Sequence, residues 1–388
     1  MALVNFTCDG INTQIPCLKE DKMKDICNKY IEKINKNIDS LSFLYLGKKI
    51  NFELTFYEQA NSLDNQRQEM NILVSIINEE DSNESILYNN FDIKNKKRFL
   101  KIKYHKKSIY CSTLLNDGRF ATCSYDKSII IYNKITFKPD ITINEHTGSV
   151  NYILALKSGL LASCSNDFTI KIYNIKRNNY TVLQTLNDHN EWVQKIIELR
   201  NGKLVSCADD NSFIIYSKDD NNKYKKELQV NVGELCQNII QTKENELCYL
   251  KYNNHIIGFF DLISRKTTNT ISDYRLWDHT YFYMITEYLL LVSGNNKFFL
   301  INVNQHEIIR TIDDPGSEIF SCLHLNRNMI LTGDYKGRIK QWKIEGDNLK
   351  LISTKENAQE HCVSSLMKLG NGFILSCCFE NGGVTIWQ

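Results

Sequence analysis

The sequence predicts a mainly β chain, with seven copies of a strand-rich unit over residues 98–388 preceded by a small α+β domain over residues 1–77. Three observations carry this. From residue 105 onward one pattern keeps returning: a His or turn residue, an apolar strand, a turn, a strand of small residues, an Asp or Asn turn, and an apolar strand ending in an aromatic. The polar markers of that pattern recur at fixed intervals. Before residue 78 the period is absent, and one stretch instead repeats apolar residues at helical spacing.

Size and composition bound the answer. A chain of 388 residues exceeds what one hydrophobic core fills, so more than one folding unit is expected. Hydrophobic residues at 42% and charged residues at 24% exclude a disordered or collagen-like chain. The balance of 47 basic and 45 acidic side chains leaves a formal charge of +2, which gives phosphate backbones no chain-wide attraction. Nucleic acid is therefore not an expected partner. No apolar run approaches the ~18 residues of a membrane helix, and Met1–Gly10 lacks the basic-then-apolar order of a signal peptide. The expectation is a cytoplasmic protein without membrane insertion, with the cytoskeleton, the cilium and the nucleus left open. Its thirteen cysteines are then thiols, and with no C-x-x-C pair or zinc spacing among them, neither metal nor cofactor is expected.

Taken in order, Leu3–Thr7 and Thr13–Leu18 read as a hairpin around Asp9-Gly10. Met23, Ile26, Cys27, Tyr30, Ile31 and Ile34 then form one apolar stripe of a helix for which Asp21 is the candidate cap. Phe43–Leu46 and Met70–Ile77 supply further strands. Residues 78–97, acidic at Glu79-Glu80-Asp81 and basic at Lys94–Lys97, read as a linker. The repeat units follow at Ser108–Asn133, Gly148–Asn174, Glu191–Ser217, Glu234–Leu262, Thr280–Val303, Glu318–Ile344 and Cys362–Gln388. In the first three, His105, Thr122, Asp126 and Tyr132 stand 17, 4 and 6 residues apart. His146, Ser163, Asp167 and Tyr173 repeat those intervals, as do His189, Ser206, Asp210 and Tyr216. His361, Ser376 and Trp387 form a looser copy with Glu380 or Asn381 in the acidic role. In units four to six Asn253, Asn295 and Lys336 stand near that role, and packing alone is expected to hold them.

The period, the strands and the His–Ser/Thr–Asp–aromatic spacing resemble the WD-repeat (WD40) family, whose fold is a β-propeller of four-stranded blades. The resemblance covers residues 98–388 and implies that the four markers form a hydrogen-bonded chain that locks each blade. The last strand, Gly383–Gln388, corresponds to a blade's third, so Arg98–Tyr104 is expected to pair with it and close the ring, removing two exposed edges. The order of elements in residues 1–77, with Phe43-Leu44-Tyr45-Leu46-Gly47-Lys48, resembles a ubiquitin-like β-grasp domain. No Gly-Gly follows its final strand, which argues against a conjugated modifier. The resemblance places Leu44 on the sheet patch by which such domains bind partners, with Leu73 or Ser75 beside it. Docking of Leu44 within the protein stands as the alternative.

His, Ser and Asp together invite a hydrolase. Three identical sets spaced along a repeat speak for framework, because catalysis needs one set beside one pocket. Cys123, Cys164, Cys207 and Cys377 each follow the strand hydroxyl, one position repeated in separate units, and so read as small buried side chains. The reading is therefore a non-catalytic scaffold or adaptor that binds other proteins within a larger complex, a cytoskeletal or ciliary assembly being one candidate. The alternative is an adaptor of the ubiquitin or proteasome pathway acting through the N-terminal domain. Tyr125, Asn166 and Asp209, each just before a turn acid, are the candidate face for a partner, and no small-molecule substrate is expected.

Overall fold

The computed structural model describes residues 2–8, 11–34, 41–45, 48–49, 52–60, 69–76, 91–252, 255–273, 281–294, 297–314, 318–369 and 372–388. Two compact units divide the chain, Met1–Asn90 and Phe91–Gln388.

In the first unit β1 (Ala2–Cys8) pairs antiparallel with β2 (Ile11–Cys17), with Asn5 opposite Gln14. Helix α1 (Met23–Ile34) follows, then β3 (Leu41–Tyr45), β4 (Lys48–Lys49), the single helical turn α2 (Phe56–Gln59) and β5 (Glu69–Ile76). The sheet order is β2-β1-β5-β3-β4, with β1 and β5 parallel at the centre. The stripe of α1 buries Met23, Ile26, Cys27 and Tyr30 against the sheet. Tyr30 stacks on Phe6 at 4.4 Å and Phe43 meets both rings edge-on. Asp21 is not the cap of α1. Its carboxylate accepts instead from the Leu18 N–H and from Lys29 Nζ, while the helix's first donors, Met23 and Lys24 N–H, are taken by the Leu54 and Phe52 carbonyls. The Asp9-Gly10 turn and Gly47 lie outside the described residues.

The second unit holds seven antiparallel four-stranded sheets arranged as blades around an axis. Blade 1 comprises Ile109–Leu114, Phe120–Ser124, Ile129–Tyr132 and Pro139–Ile143, from the axis outward. Blade 2 begins at Val150, blade 3 at Val193, blade 4 at Cys236, blade 5 at Phe282 and blade 6 at Ile319. Blade 7 takes Val363–Lys368, Ile374–Cys378 and Gly383–Trp387, and its outer strand is Arg98–Lys103, which pairs Val384 with Ile102. The second strand is buried from end to end in every blade but the fourth, where only its last residue, Lys251, is partly exposed, since both of its faces meet neighbouring blades. This is why small residues fill it: Cys123, Cys164, Cys207 and Cys377 are all fully buried. Blades 6 and 7 approach so closely that a Cβ on Gly333 would stand 2.4 Å from Val363 Cγ1.

Residues 91–97 belong to this unit and are no linker. Phe91 and Ile93 are buried, and Ile93 begins a 3-10 turn capped by Asp92. Gln341 in blade 6 grips the segment twice, Nε2 donating to the Phe91 carbonyl at 2.6 Å and Oε1 accepting from the Ile93 N–H at 3.0 Å. Lys355 Nζ donates to the carbonyls of Lys94 and Lys96. Charged residues at Lys94–Lys97 masked these two apolar anchors in the sequence. The rest of the expected linker, up to residue 90, lies outside the described residues.

Candidate functional site

Each blade needs a fastener where its second strand turns into its third, because the turn leaves polar groups half-buried. In blade 1 His105 Nδ1 lies 3.0 Å from Asp126 Oδ2 and Nε2 lies 2.8 Å from Thr122 Oγ1, with the Tyr132 hydroxyl 3.3 Å beyond. Blade 2 repeats this at 2.8, 2.6 and 3.3 Å through Asp167, His146, Ser163 and Tyr173. Blade 3 sets Asp210 and Ser206 each 2.7 Å from His189, with Tyr216 buried in register. Each Asp also accepts the N–H after its histidine, from Lys106, Thr147 or Asn190, and a hydroxyl two residues on, from Ser128, Thr169 or Ser212. The sequence reading missed that second hydroxyl. Burial opposes ionisation of these carboxyls, yet the hydrogen bonds from histidine, hydroxyl and backbone win and hold Asp126, Asp167 and Asp210 below the ordinary carboxyl range.

Acid, imidazole and hydroxyl stand here in the order of a hydrolytic triad, but the hydroxyls of Thr122, Ser163 and Ser206 belong to wholly buried residues. No substrate reaches them. The residues between Asp and strand three, Lys127, Phe168 and Asn211, have φ of 74°, 72° and 63°, so the fastener also holds three non-glycine residues in a left-handed turn.

Blade 7 differs from its expected pattern. His361 pairs with Glu380 at 2.9 Å on the surface, both side chains about half exposed. The buried role falls to Gln359, whose Nε2 donates to Ser376 Oγ at 2.7 Å while Trp387 Nε1 donates to the same oxygen at 2.9 Å. Gln359 stands 17 residues before Ser376, the interval of the other three sets, and spacing without the demand for histidine would have found it.

Nor are blades 4–6 held by packing alone. In blade 4 Tyr249 bonds Thr267 at 2.9 Å, its ring lying where a side chain on Gly258 would be. Between blades 4 and 5 Glu246 takes the Thr242 hydroxyl and His306 Nε2. Blade 6 buries a charged cluster: Lys340 on Asp314, Arg338 on Asp334, and Trp342 Nε1 on Thr332 Oγ1. Burial raises the Asp334 carboxyl despite both cations. Asn253 and Asn295 lie outside the described residues.

The same face carries a cavity of about 550 Å³ on the propeller axis, lined by all seven innermost strands. One device opens it. In six blades the innermost strand carries an extra residue against the second strand at the same place: Tyr110, Asn151, Gln194, Gln237, Phe320 and Ser364. A β-bulge re-aims the side chain it inserts, and all six line the cavity. Asn166 and Asp209 line it too, each tied to a bulge residue. Asn151 Nδ2 donates to Asn166 Oδ1 at 2.6 Å and Gln194 Nε2 to Asp209 Oδ2 at 2.8 Å. Desolvation raises the Asp209 carboxyl. Tyr125 is half exposed beside the Tyr110 ring and carries Lys107 Nζ 4.7 Å above its own. Lys195 also lines the cavity, donating to Asn238 Oδ1 at 2.8 Å with its head over the Tyr152 ring, and burial lowers its pKa. Leu44 lies in the other unit, its backbone paired with Leu73 and Lys49 and its side chain outside the described residues.

The cavity's aromatic wall and its bulge residues were missed in the sequence, where bulges leave no local signal. Among the described residues no group of three His, Cys, Asp or Glu side chains gathers as a metal site, and no helix is long and apolar enough to cross a membrane.

Residues 96–133 and 137–174, about a fifth of the chain, match the family model described as WD domain, G-beta repeat. No curated protein matches the chain. The matched stretches contain the complete fasteners of His105 and His146, so the chain carries WD40 repeats on a seven-bladed β-propeller.

Proposed function

We propose that this protein is a non-catalytic scaffold or adaptor that binds other proteins of a larger cytoplasmic complex, and that the propeller face around the axial cavity is the binding surface. WD40 propellers are typically protein-interaction scaffolds. The observation that carries the choice of face is the repeated bulge, which turns one side chain per blade into the cavity in six of the seven blades. Around it Trp192, Tyr125 and Tyr335 stand about half exposed, large rings of the kind enriched at protein interfaces. The His–Asp sets are framework in this reading, since their hydroxyls are sealed.

Quantitative co-purification tests this on the tagged full chain in its own cells. Trp192→Ala combined with Tyr335→Ala should strip most associated proteins, whereas Glu244→Ala with Glu287→Ala, at turns on the opposite ends of the strands, should leave them. An unchanged set of associated proteins in the first variant removes the face assignment.

For the N-terminal unit we infer a ubiquitin-like β-grasp domain. The mixed sheet with its parallel central pair and one packed helix supports it. A ubiquitin- or proteasome-pathway adaptor is the finer alternative for this unit. It predicts that the full chain with Leu44→Ala loses ubiquitin-receptor or proteasome subunits from the same co-purification.

A further inference from the structure

The axial cavity has two unlike walls. On one side Tyr110, Phe379, Phe320, Tyr281 and Tyr335 form a continuous chain of rings. Tyr110 lies 5.3 Å from Phe379, Phe379 lies 6.4 Å from Phe320, and Phe320 lies 5.2 Å from Tyr281 and 6.2 Å from Tyr335. Glu318 lines the cavity within this wall, on the residue pair before Phe320, and its main-chain carbonyl accepts from the Tyr335 N–H. Its half-buried carboxylate has no hydrogen-bond or ion-pair partner among the described residues. On the other side stand carboxamides, with Asn151 committed to Asn166 and to the Val193 carbonyl, and Gln194 to Asp209.

Resting on the reading of this face as the interaction surface, we propose that the cavity takes an extended peptide of a partner protein and seats one basic side chain, arginine ahead of lysine, on the ring wall beside Glu318. The charges agree. Asp209 and Glu318 against Lys195 leave the lining with one net negative charge, and Lys195 is turned to Asn238 and Tyr152. The same chain of rings already holds one cation, since Tyr110 continues to Tyr125 and Lys107 sits on that ring. A guanidinium stacks on aromatic faces and is less strongly hydrated than an ammonium, so it enters such a wall at lower desolvation cost. The volume, about 550 Å³, falls among ordinary ligand sites and accommodates a long side chain with its flanking backbone. Carboxamides opposite supply both donors and acceptors, as a peptide backbone requires.

The test is selection of a random twelve-residue peptide display library on the full chain, followed by fluorescence anisotropy with the selected peptides synthesised and labelled. The expected result is a basic residue enriched at one position. Replacing it with Ala, or introducing Glu318→Gln, should each weaken binding about tenfold, a loss of ~1.4 kcal/mol. Phe320→Ala should do the same, while Glu307→Gln, on an outer strand, should change nothing. Thermal melts establish that the variants are folded, and Glu318→Gln alone decides if Phe320→Ala is not. Selected peptides without a basic residue that still lose affinity on Trp192→Ala overturn this inference and leave the interaction face standing. Peptides indifferent to every cavity substitution, or no enrichment at all, overturn the inference; indifference to Trp192→Ala as well counts against the face too.

Discussion

In blades 1–3 an imidazole stands between a carboxylate and a hydroxyl, and both of its bonds recur within a few tenths of an ångström. Blade 7 puts the Gln359 carboxamide in that place. Blade 6 substitutes a buried cluster of two lysine- or arginine-borne charges and two carboxylates, and blade 4 a tyrosine lying across a glycine. The demand is common to all of them, that no polar group at the strand turn be left without a partner. Many side-chain sets meet it. What differs is how much each blade depends on one residue, and how it responds to pH.

The largest effect is expected where charge is buried without a neutral reserve. Lys340→Ala removes the buried cation that faces both Asp314 and Asp334, and should cost ~3–5 kcal/mol, read as a lower midpoint in denaturant. If it costs less than Asp167→Ala, blade 6 does not rely on its ion cluster. Asp167→Ala takes the carboxylate from a buried imidazole nitrogen, an N–H and a hydroxyl, leaving only the longer 3.4 Å contact between His146 and Thr169, and should cost ~1–3 kcal/mol. An unaltered melting temperature would remove the fastener role.

Blade 7 separates spacing from residue type. Gln359→Ala should cost ~1–2 kcal/mol, whereas His361→Ala, which breaks only a half-exposed pair with Glu380, should stay within ~0.5 kcal/mol. The reverse order of melting temperatures restores His361 to the role its spacing predicted.

Acid sharpens the contrast further. Folding holds Asp126, Asp167 and Asp210 below the ~3.9 of a free Asp, so the stability they contribute is complete above about pH 5 and drains as pH falls through 4 toward the folded values. Asp334 is shifted the opposite way and adds nothing to that loss. Stability curves of the wild type and Asp167→Asn should therefore converge below about pH 4, and parallel curves would contradict the shift. The smallest effect is a gain: Phe168→Gly relieves a left-handed residue and should raise stability by up to ~1 kcal/mol, provided the lost side chain contributes little at 37% exposure. A lower melting temperature means the Phe168 ring packs more than its exposure suggests.

Much of the framework was legible because it is local. His105, Asp126 and their successors sit at constant intervals since the first two strands of blades 1–3 have matching lengths, 6 and 5 residues, and the small residues at Cys123, Cys164 and Cys207 announce a strand walled on both faces. Gln359 was legible by interval and hidden by type. Phe91 and Ile93 were readable as apolar residues in a polar stretch, but nothing nearby shows that Gln341, some 250 residues later, receives them.

Sequence alone determined the number of blades, their period and the three fasteners of equal spacing, because each is written within a single repeat and recurs with it. Tertiary structure alone decided the axial cavity and the docking of residues 91–97. Tyr110, Phe320 and Phe379 meet only when blades 1, 6 and 7 close on one another, and a bulge exists only as a mismatch between two paired strands. Such arrangements carry no period, and so no single stretch of the chain records them.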